Sequence, residues 1–246
     1  MPLSPSRISR IFRYAMYFDG VDDYVQINDN PSLNPSSEIS IMLVFAILRT
    51  DRDLPIVDKR AVNDWPKAYN VYWEYLYKCI SFQINGVWFR SSQFTSINTF
   101  VHYSASYSQS QGVVKIYLNG SLDKQYSYNS NIITTTYPLW IGDVYPGFPR
   151  KFNGYIAQVL IYSRALSDSE IRWNYQYPDN PVRNSLVLWL KADPQYVKDI
   201  DGDGILEWID LSGYNNHGKI YGAQLVQLVK SAIRILPKAR ILKVLR

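Results

Sequence analysis

The carboxylates whose spacing carries most chemistry lie in Asp199-Ile-Asp-Gly-Asp-Gly-Ile-Leu-Glu-Trp-Ile-Asp210. Acids at positions 1, 3, 5 and 12 with a glycine at position 6 follow the pattern of a loop that wraps a hard cation in oxygen ligands. Calcium would be held by Asp199, Asp201, Asp203, the carbonyl of Ile205 and Asp210. Two departures keep a second reading open. Position 12 is the short Asp210, not a bidentate Glu, and the flanks read as strands. The alternative is an Asp/Gly-rich β-turn whose carboxylates cap backbone amides.

Other candidate groups are fewer. Asp19, Asp22 and Asp23 sit in one turn, and a structural role is the favoured reading there. Asp143 follows Ile141-Gly142 at the end of a strand-like run. Sugar recognition needs flat aromatic faces beside polar groups, and Trp65, Tyr145 and Phe148 are loop aromatics of that kind, or ordinary residents of an aromatic-rich chain. With His102, His217 and the single Cys79, neither a zinc site nor a Cys/His nucleophile pair finds support, and no intrachain disulfide can form.

The elements that must position these groups are mostly strands. Aromatics make up 15% of the 246 residues and charged residues 19%, a balance that favours pleated, half-buried surfaces. Asn85-Gly86 and Asn119-Gly120 join β-branched runs and read as hairpins, while Asn153-Gly154 offers the same positive-φ turn chemistry. Val114, Ile116 and Leu118 share one face by period-2 alternation, with Ser121 to Tyr126 as the partner strand. Residues 39–48 and 155–162 are apolar on both faces, as central strands are. One short helix is predicted over 168–175, because Ser167 and Glu170 form a capping box. Pro178 and Pro181 then force extended backbone. The longest apolar run spans residues 41–48, far short of the roughly 20 residues of a membrane-spanning helix.

Several of these segments resemble one family in its own order. Phe18-Asp-Gly-Val-Asp-Asp-Tyr-Val25 is similar to an early strand of laminin G-like domains, in the concanavalin A-like lectin and glucanase superfamily. Val114 to Leu122 is similar to that family's hairpin, Leu139 to Gly142 to the strand after it, and Gly154 to Ile171 to its final strand and short helix. Residues 186–193 and 208–223 resemble the family's opening, with Asp210, Ser212, Gly213, Asn216 and Gly218 fitting a D-x-S-G-x-x-N-x-G stretch. The resemblance implies an all-β, antiparallel two-sheet jelly-roll sandwich with one short helix after the last family strand, and a loop in which Asp143 faces a bound ion or ligand. Because the opening comes last here, either the module is circularly permuted or these strands complete a neighbouring subunit. Enzymatic relatives carry an E-x-D-x-E run on one strand, which is absent among Glu38, Glu74, Glu170 and Glu207.

Charge is concentrated at the ends. Residues 1–13 and 224–246 hold nine cations and no acid, so the body between them, with 17 bases against 21 acids, is mildly acidic. In the tail, Arg234, Lys238, Arg240 and Arg246 fall on one face of an extended strand, which suits docking on other coat or virion subunits, with nucleic acid as the less favoured partner. Four parts are expected: a basic arm at 1–13, the sandwich at 14–180, a linker with family-type first strands at 181–223, and a basic extended arm at 224–246. The functional expectation is a non-enzymatic module that binds glycans or cell-surface proteins as a structural or attachment part of an oligomeric assembly. Laminin G-like modules occur in virion proteins of archaeal viruses, and the resemblance extends to that setting. A virion or extracellular location without a cleaved signal peptide is expected, since no secretory apolar region follows the basic start. The alternative is a nucleic-acid-binding or coat-assembly protein that uses its arms, with the sandwich as scaffold.

Overall fold

A computed structural model describes residues 12–60, 67–94, 97–145 and 147–228. In chain order its strands are β1 (Tyr14–Asp19), β2 (Tyr24–Ile27), β3 (Glu38–Ile47), β4 (Leu54–Arg60), β5 (Lys67–Glu74) and β6 (Cys79–Ile84). β7 (Val87–Arg90), β8 (Val101–Ser108), β9 (Val113–Leu118), β10 (Ser121–Ser127), β11 (Leu139–Ile141) and β12 (Asn153–Tyr162) follow. Helix α1 (Asp168–Gln176) precedes β13 (Leu186–Lys191), β14 (Val197–Lys198), β15 (Glu207–Trp208), β16 (Gly218–Tyr221) and β17 (Gln224–Gln227). Among the described residues no helix is long and apolar enough to cross a membrane.

Two antiparallel sheets face each other. The eight-stranded sheet runs β10-β9-β8-β3-β12-β1-β17 with β13 also on β12, and the nine-stranded sheet runs β14-β15-β16-β2-β11-β4-β5-β6-β7. Between them lies one apolar core, to which Ile41, Leu43 and Phe45 of β3, Tyr103 and Ala105 of β8, Val71 of β5 and Phe82 of β6 contribute alternate residues. All ten residues of β12 but Asn153 are buried, which is why this segment reads as apolar on both faces.

The turn chemistry locates the hairpins. Asn85 and Asn119 have φ of 53° and 52°, each followed by a positive-φ glycine, and they close β6–β7 and β9–β10. Asn153-Gly154 differs, since it opens β12 in extended backbone. There the glycine serves close approach, for a Cβ would sit 2.2 Å from the carbonyl oxygen of Ala46. At α1 the Ser167 side chain accepts from the Glu170 amide and the Glu170 carboxylate accepts from the Ser167 amide, the reciprocal cap read from the sequence.

An early strand and a late strand of the described chain meet on β12. β1 pairs with its first half (153–156) and β13 with its second half (158–162), while β17 pairs with β1 and β16 with β2. Segments from residues 186 to 227 therefore lie in both sheets.

Candidate functional site

The outward face of the nine-stranded sheet carries one continuous cross-strand row. By register, Glu207 lies opposite Lys219, Lys219 opposite Gln26, and Gln26 opposite Trp140. The row continues through Asp58, Asn70 and Gln83 to Trp88. Eight neighbouring strands at the usual sheet spacing make it about 33 Å long. Its members alternate with core residues, as Asn70 does with Tyr69 and Val71. Directly opposite side chains stand within contact distance, so the row is continuous, although Glu207, Trp140, Asp58, Asn70 and Gln83 are buried within it.

Two parts of this row differ in access. Around β2 and β16 it is half exposed. Tyr24 and Tyr221 stack there with ring centroids 4.6 Å apart and an interplanar angle of 24°, and Trp140 meets Tyr24 edge-on at 5.4 Å. Burial, then the neighbouring Tyr221 and Asp143, raises the pKa of the Tyr24 phenol, so it stays a neutral hydrogen-bonding group. Around β4 to β6 the face is buried. Arg60 forks onto Asp58 with N–O distances from 2.5 to 2.8 Å, Tyr72 donates to the same carboxylate at 2.9 Å, and Asn70 donates to Gln83 at 2.7 Å.

The acidic loop lies at the other end of the row. Asp199 accepts the amides of Gly202 and Gly204, Asp201 that of Asp203, and Asp203 that of Ile205. The Lys219 ammonium pairs with Asp201 at 2.9 Å and also with Asp203, so a resident cation already serves both. Asp210 stands apart: its carboxylate accepts from the amides of Trp189, Ser212 and Asn216 and from the Ser212 hydroxyl. It organises the turn that ties residues 210–216 to β13. The carboxylates whose oxygens gather within 4.8 Å of one another are Asp199, Asp201 and Glu207. As built, this loop does not converge the five-ligand set of a twelve-residue calcium loop.

Other sequence candidates are placed as follows. Asp143 is buried in an ion pair with Lys151; burial pushes its carboxyl up while Lys151 holds it back. Tyr145 and Phe148 contact each other edge-on at 5.4 Å in the following loop, half buried. Asp19, Asp22 and Asp23 cluster within 4.8 Å, and Asp23 accepts the Asp19 amide at 2.7 Å beneath Gly222. Burial is the main reason that the Asp23 carboxyl is pushed up to about 6, with the Asp19 and Asp22 charges adding to it. His217 accepts the Asp210 amide, His102 is buried with its pKa pushed down to about 4, and Cys79 is a buried free thiol. Trp65, Arg234, Lys238, Arg240 and Arg246 lie outside the described residues.

Sequence reasoning passed over Asp58, Asn70, Gln83, Trp88 and Trp140. Alternate polar residues in β5 and β6, within runs otherwise apolar, were the available signal.

Two facing antiparallel sheets around one core define a β-sandwich. The laminin G family model Laminin_G_3, described as concanavalin A-like lectin/glucanases superfamily, matches residues 19–172, and the chain belongs to that family. No curated protein matches the sequence. Among solved structures, it is similar to a Bacteroides ovatus ATCC 8483 protein titled "putative carbohydrate binding protein", with a TM-score of 0.71, 16% identity, and 88% of this chain and 60% of that chain covered. The heptameric SAP-like pentraxin of Limulus polyphemus gives a TM-score of 0.55 at 12% identity over 67% of this chain and 82% of that one. Trypanosoma rangeli sialidase in complex with the inhibitor DANA gives 0.51 at 16% identity over 67% of this chain and 28% of that one. The chain thus spans three fifths of the Bacteroides protein and less than a third of the sialidase. At these identities the likeness is one of fold.

Proposed function

We propose that the protein is a non-enzymatic glycan-binding module whose ligand lies along the outward face of the nine-stranded sheet. The observation that carries this is the unbroken row from Lys219 to Trp88, in which the half-exposed rings of Tyr24 and Tyr221 adjoin Gln26 and Lys219. Rings of this kind stack on the C–H faces of sugars while amides and ammonium groups fix hydroxyls. A glycosidase requires two free carboxylates flanking the scissile bond. Here Asp58 is spent on Arg60 and Tyr72, and Glu74 pairs with Arg90. A glycan array probed with the wild type and with Tyr221→Ala tests this reading. Binding that falls at least tenfold in the variant is expected; no glycan bound by either protein, or turnover of a fluorogenic glycoside, would sink it.

In this reading the module is a structural or attachment part of an assembly, a virion being the setting that the family resemblance favours, and residues 186–227 close their own sandwich. The basic arms at both ends are its contacts with other subunits, and an extracellular or virion location follows. Calcium enters through Asp199, Asp201 and Glu207, in competition with the Lys219 ammonium. Calcium should therefore raise the thermal midpoint more in Lys219→Ala than in the wild type, and equal shifts would remove calcium from the account. Nucleic acid is the other partner for the arms. Contact of all nine cations with phosphate predicts a log K against log salt slope of up to about −8.

A further inference from the structure

The strands that end the two sheets are β10, β17, β14 and β7, and an open edge is a template on which another strand can pair. Three of them are protected. β10 holds Asp123 in a bulge with Lys124 beside it, β14 is two residues long and ends on Lys198, and β7 ends on Arg90. β17 lacks these devices. Its Gln224-Leu-Val-Gln227 has no charge and no proline, and its register with β1 runs without a bulge. Among the described residues β17 pairs with β1 alone.

The open groups of this edge follow from the pairing. The Leu228 amide donates to the Arg13 carbonyl at 2.7 Å, continuing the register in which Val226 faces Ala15. Hydrogen-bonded pairs alternate along an antiparallel ladder, so Val226 and Gln224 turn their backbone groups to β1, and Leu225 and Gln227 turn theirs outward. A second copy of the same strand fits them. About a twofold axis through Val226 and normal to the sheet, Leu225 of each copy lies opposite Gln227 of the other, and each such pair exchanges both hydrogen bonds. Every outward N–H and C=O of the two residues is then satisfied. Val226 meets its own copy, which joins the apolar clusters that hold Val226 and Leu228 outside the two eight-stranded sheets. Four residues further on, the register brings Lys230 to Gly222 of the second copy. Gly222 lies directly over the Asp23 carboxylate, and the same turn carries Asp19 and Asp22, both exposed and without a basic partner among the described residues. The chain's own tail is the poorer occupant: residues 229–246 contain no glycine, asparagine or aspartate to supply the positive φ of a tight return onto β17.

We propose that β17 is a self-association edge, on which two copies of the chain pair antiparallel about Val226 and seat the basic tail of each on the acidic turn of the other. This rests on the assembly part of the reading above and adds to it the surface and the partner. Sedimentation equilibrium of the full chain should show a dimer. Gln227→Pro removes an outward N–H that β1 does not use, so the fold should stay while the dimer dissociation constant rises about tenfold or more. The register has its own readout. Opposite residues that do not exchange hydrogen bonds stand about 4.5 Å apart at Cα, within reach of a disulfide, so Val226→Cys should cross-link into a covalent dimer under mild oxidation. Gln224→Cys should not, and the native Cys79 is buried. Lys230→Glu should weaken the dimer about three- to tenfold, and Asp22→Lys in the same chain should restore it.

A monomer at every concentration, or a dimer in which Val226→Cys and Gln224→Cys cross-link equally, would overturn the edge. An oligomer that persists in Gln227→Pro and is lost when residues 229–246 are removed would also overturn it, while keeping the assembly and moving its contacts to the arms. Glycan binding reads out separately. Its absence from a chain that dimerises as described would sink the earlier reading of the nine-stranded sheet and leave the edge standing.

Discussion

The two sheets share one core, yet their outward faces bury different things: mostly apolar clusters on one, charged pairs and amides on the other. Outside the eight-stranded sheet, Met42, Tyr117, Leu160, Tyr162 and Trp189 are packed with Leu166 and with Ile171 of helix α1, Ala15, Val44, Ala46 and Tyr155 form a second apolar cluster, and Ser40, His102, Ser104, Ser106 and Gln158 are buried beside them. Outside the nine-stranded sheet, equally buried positions hold Asp58, Arg60, Asn70, Ser81 and Gln83. Apolar burial stabilises a sandwich by roughly 25 cal/mol for each Å² removed from water, whereas buried polar groups cost stability unless they are hydrogen-bonded. The first face is a third layer of core. The second holds buried ion pairs and hydrogen bonds in its place.

The largest effect tests what both faces depend on. Deleting residues 181–246 removes β13 from β12, β17 from β1 and β16 from β2, so it strips strands from both sheets at once. If these strands close their own sandwich, the truncated chain should be a monomer without a cooperative unfolding transition. Native mass spectrometry with thermal unfolding reads this. A folded truncated chain that has merely lost its assembly would instead show that the strands serve a neighbour.

The next test sets one face against the other. Leu160, 1% exposed beneath α1, should cost about 2–5 kcal/mol on replacement by Ala, with glycan affinity unchanged in the folded fraction. Trp88→Ala, at a half-buried edge position, should cost less than about 1 kcal/mol but lower affinity at least tenfold. Denaturant midpoints and array titrations on the two variants separate these outcomes. A large stability loss in Trp88→Ala with intact binding would make the second face another piece of core.

This contrast was partly legible in the chain itself. Local chemistry carried what is local: Asn85-Gly86 and Asn119-Gly120 as hairpins, Ser167 with Glu170 as a cap, and apolar character on both faces of residues 39–48 and 155–162. Family motifs carried the sandwich. The row's local signal is confined to the alternate polar residues of β5 and β6, because Trp140 meets Asp58 and Gln26 meets Lys219 only through pairing between strands far apart in sequence. The same holds for the acidic loop. Its spacing points to a cation, but the cation present is Lys219, and Asp210 is drawn away by the amides of Trp189 and Asn216.

The smallest expected effect lies in acid, where two carboxylates pull in opposite directions. Glu170, on α1, is held down at about 2, first by its hydrogen bonds from Arg164. A depressed pKa contributes stability that is fully present above the unfolded value near 4.5 and is lost as pH falls through 2. Asp23, at the end of the sandwich, is raised to about 6 by burial, so its charge costs stability above pH 6 and that cost fades toward pH 4. Stability should therefore rise slightly from pH 7 to pH 4 and then fall, each limb on the order of 1 kcal/mol. Asp23→Asn should flatten the first limb, since the amide oxygen can still accept from Asp19, and Glu170→Gln the second, since glutamine also serves a capping box. Urea midpoints at pH 7, 5, 4 and 2.5 read both. An Asp23→Asn curve parallel to the wild type between pH 7 and 4 would show that the buried turn is not where the first limb arises.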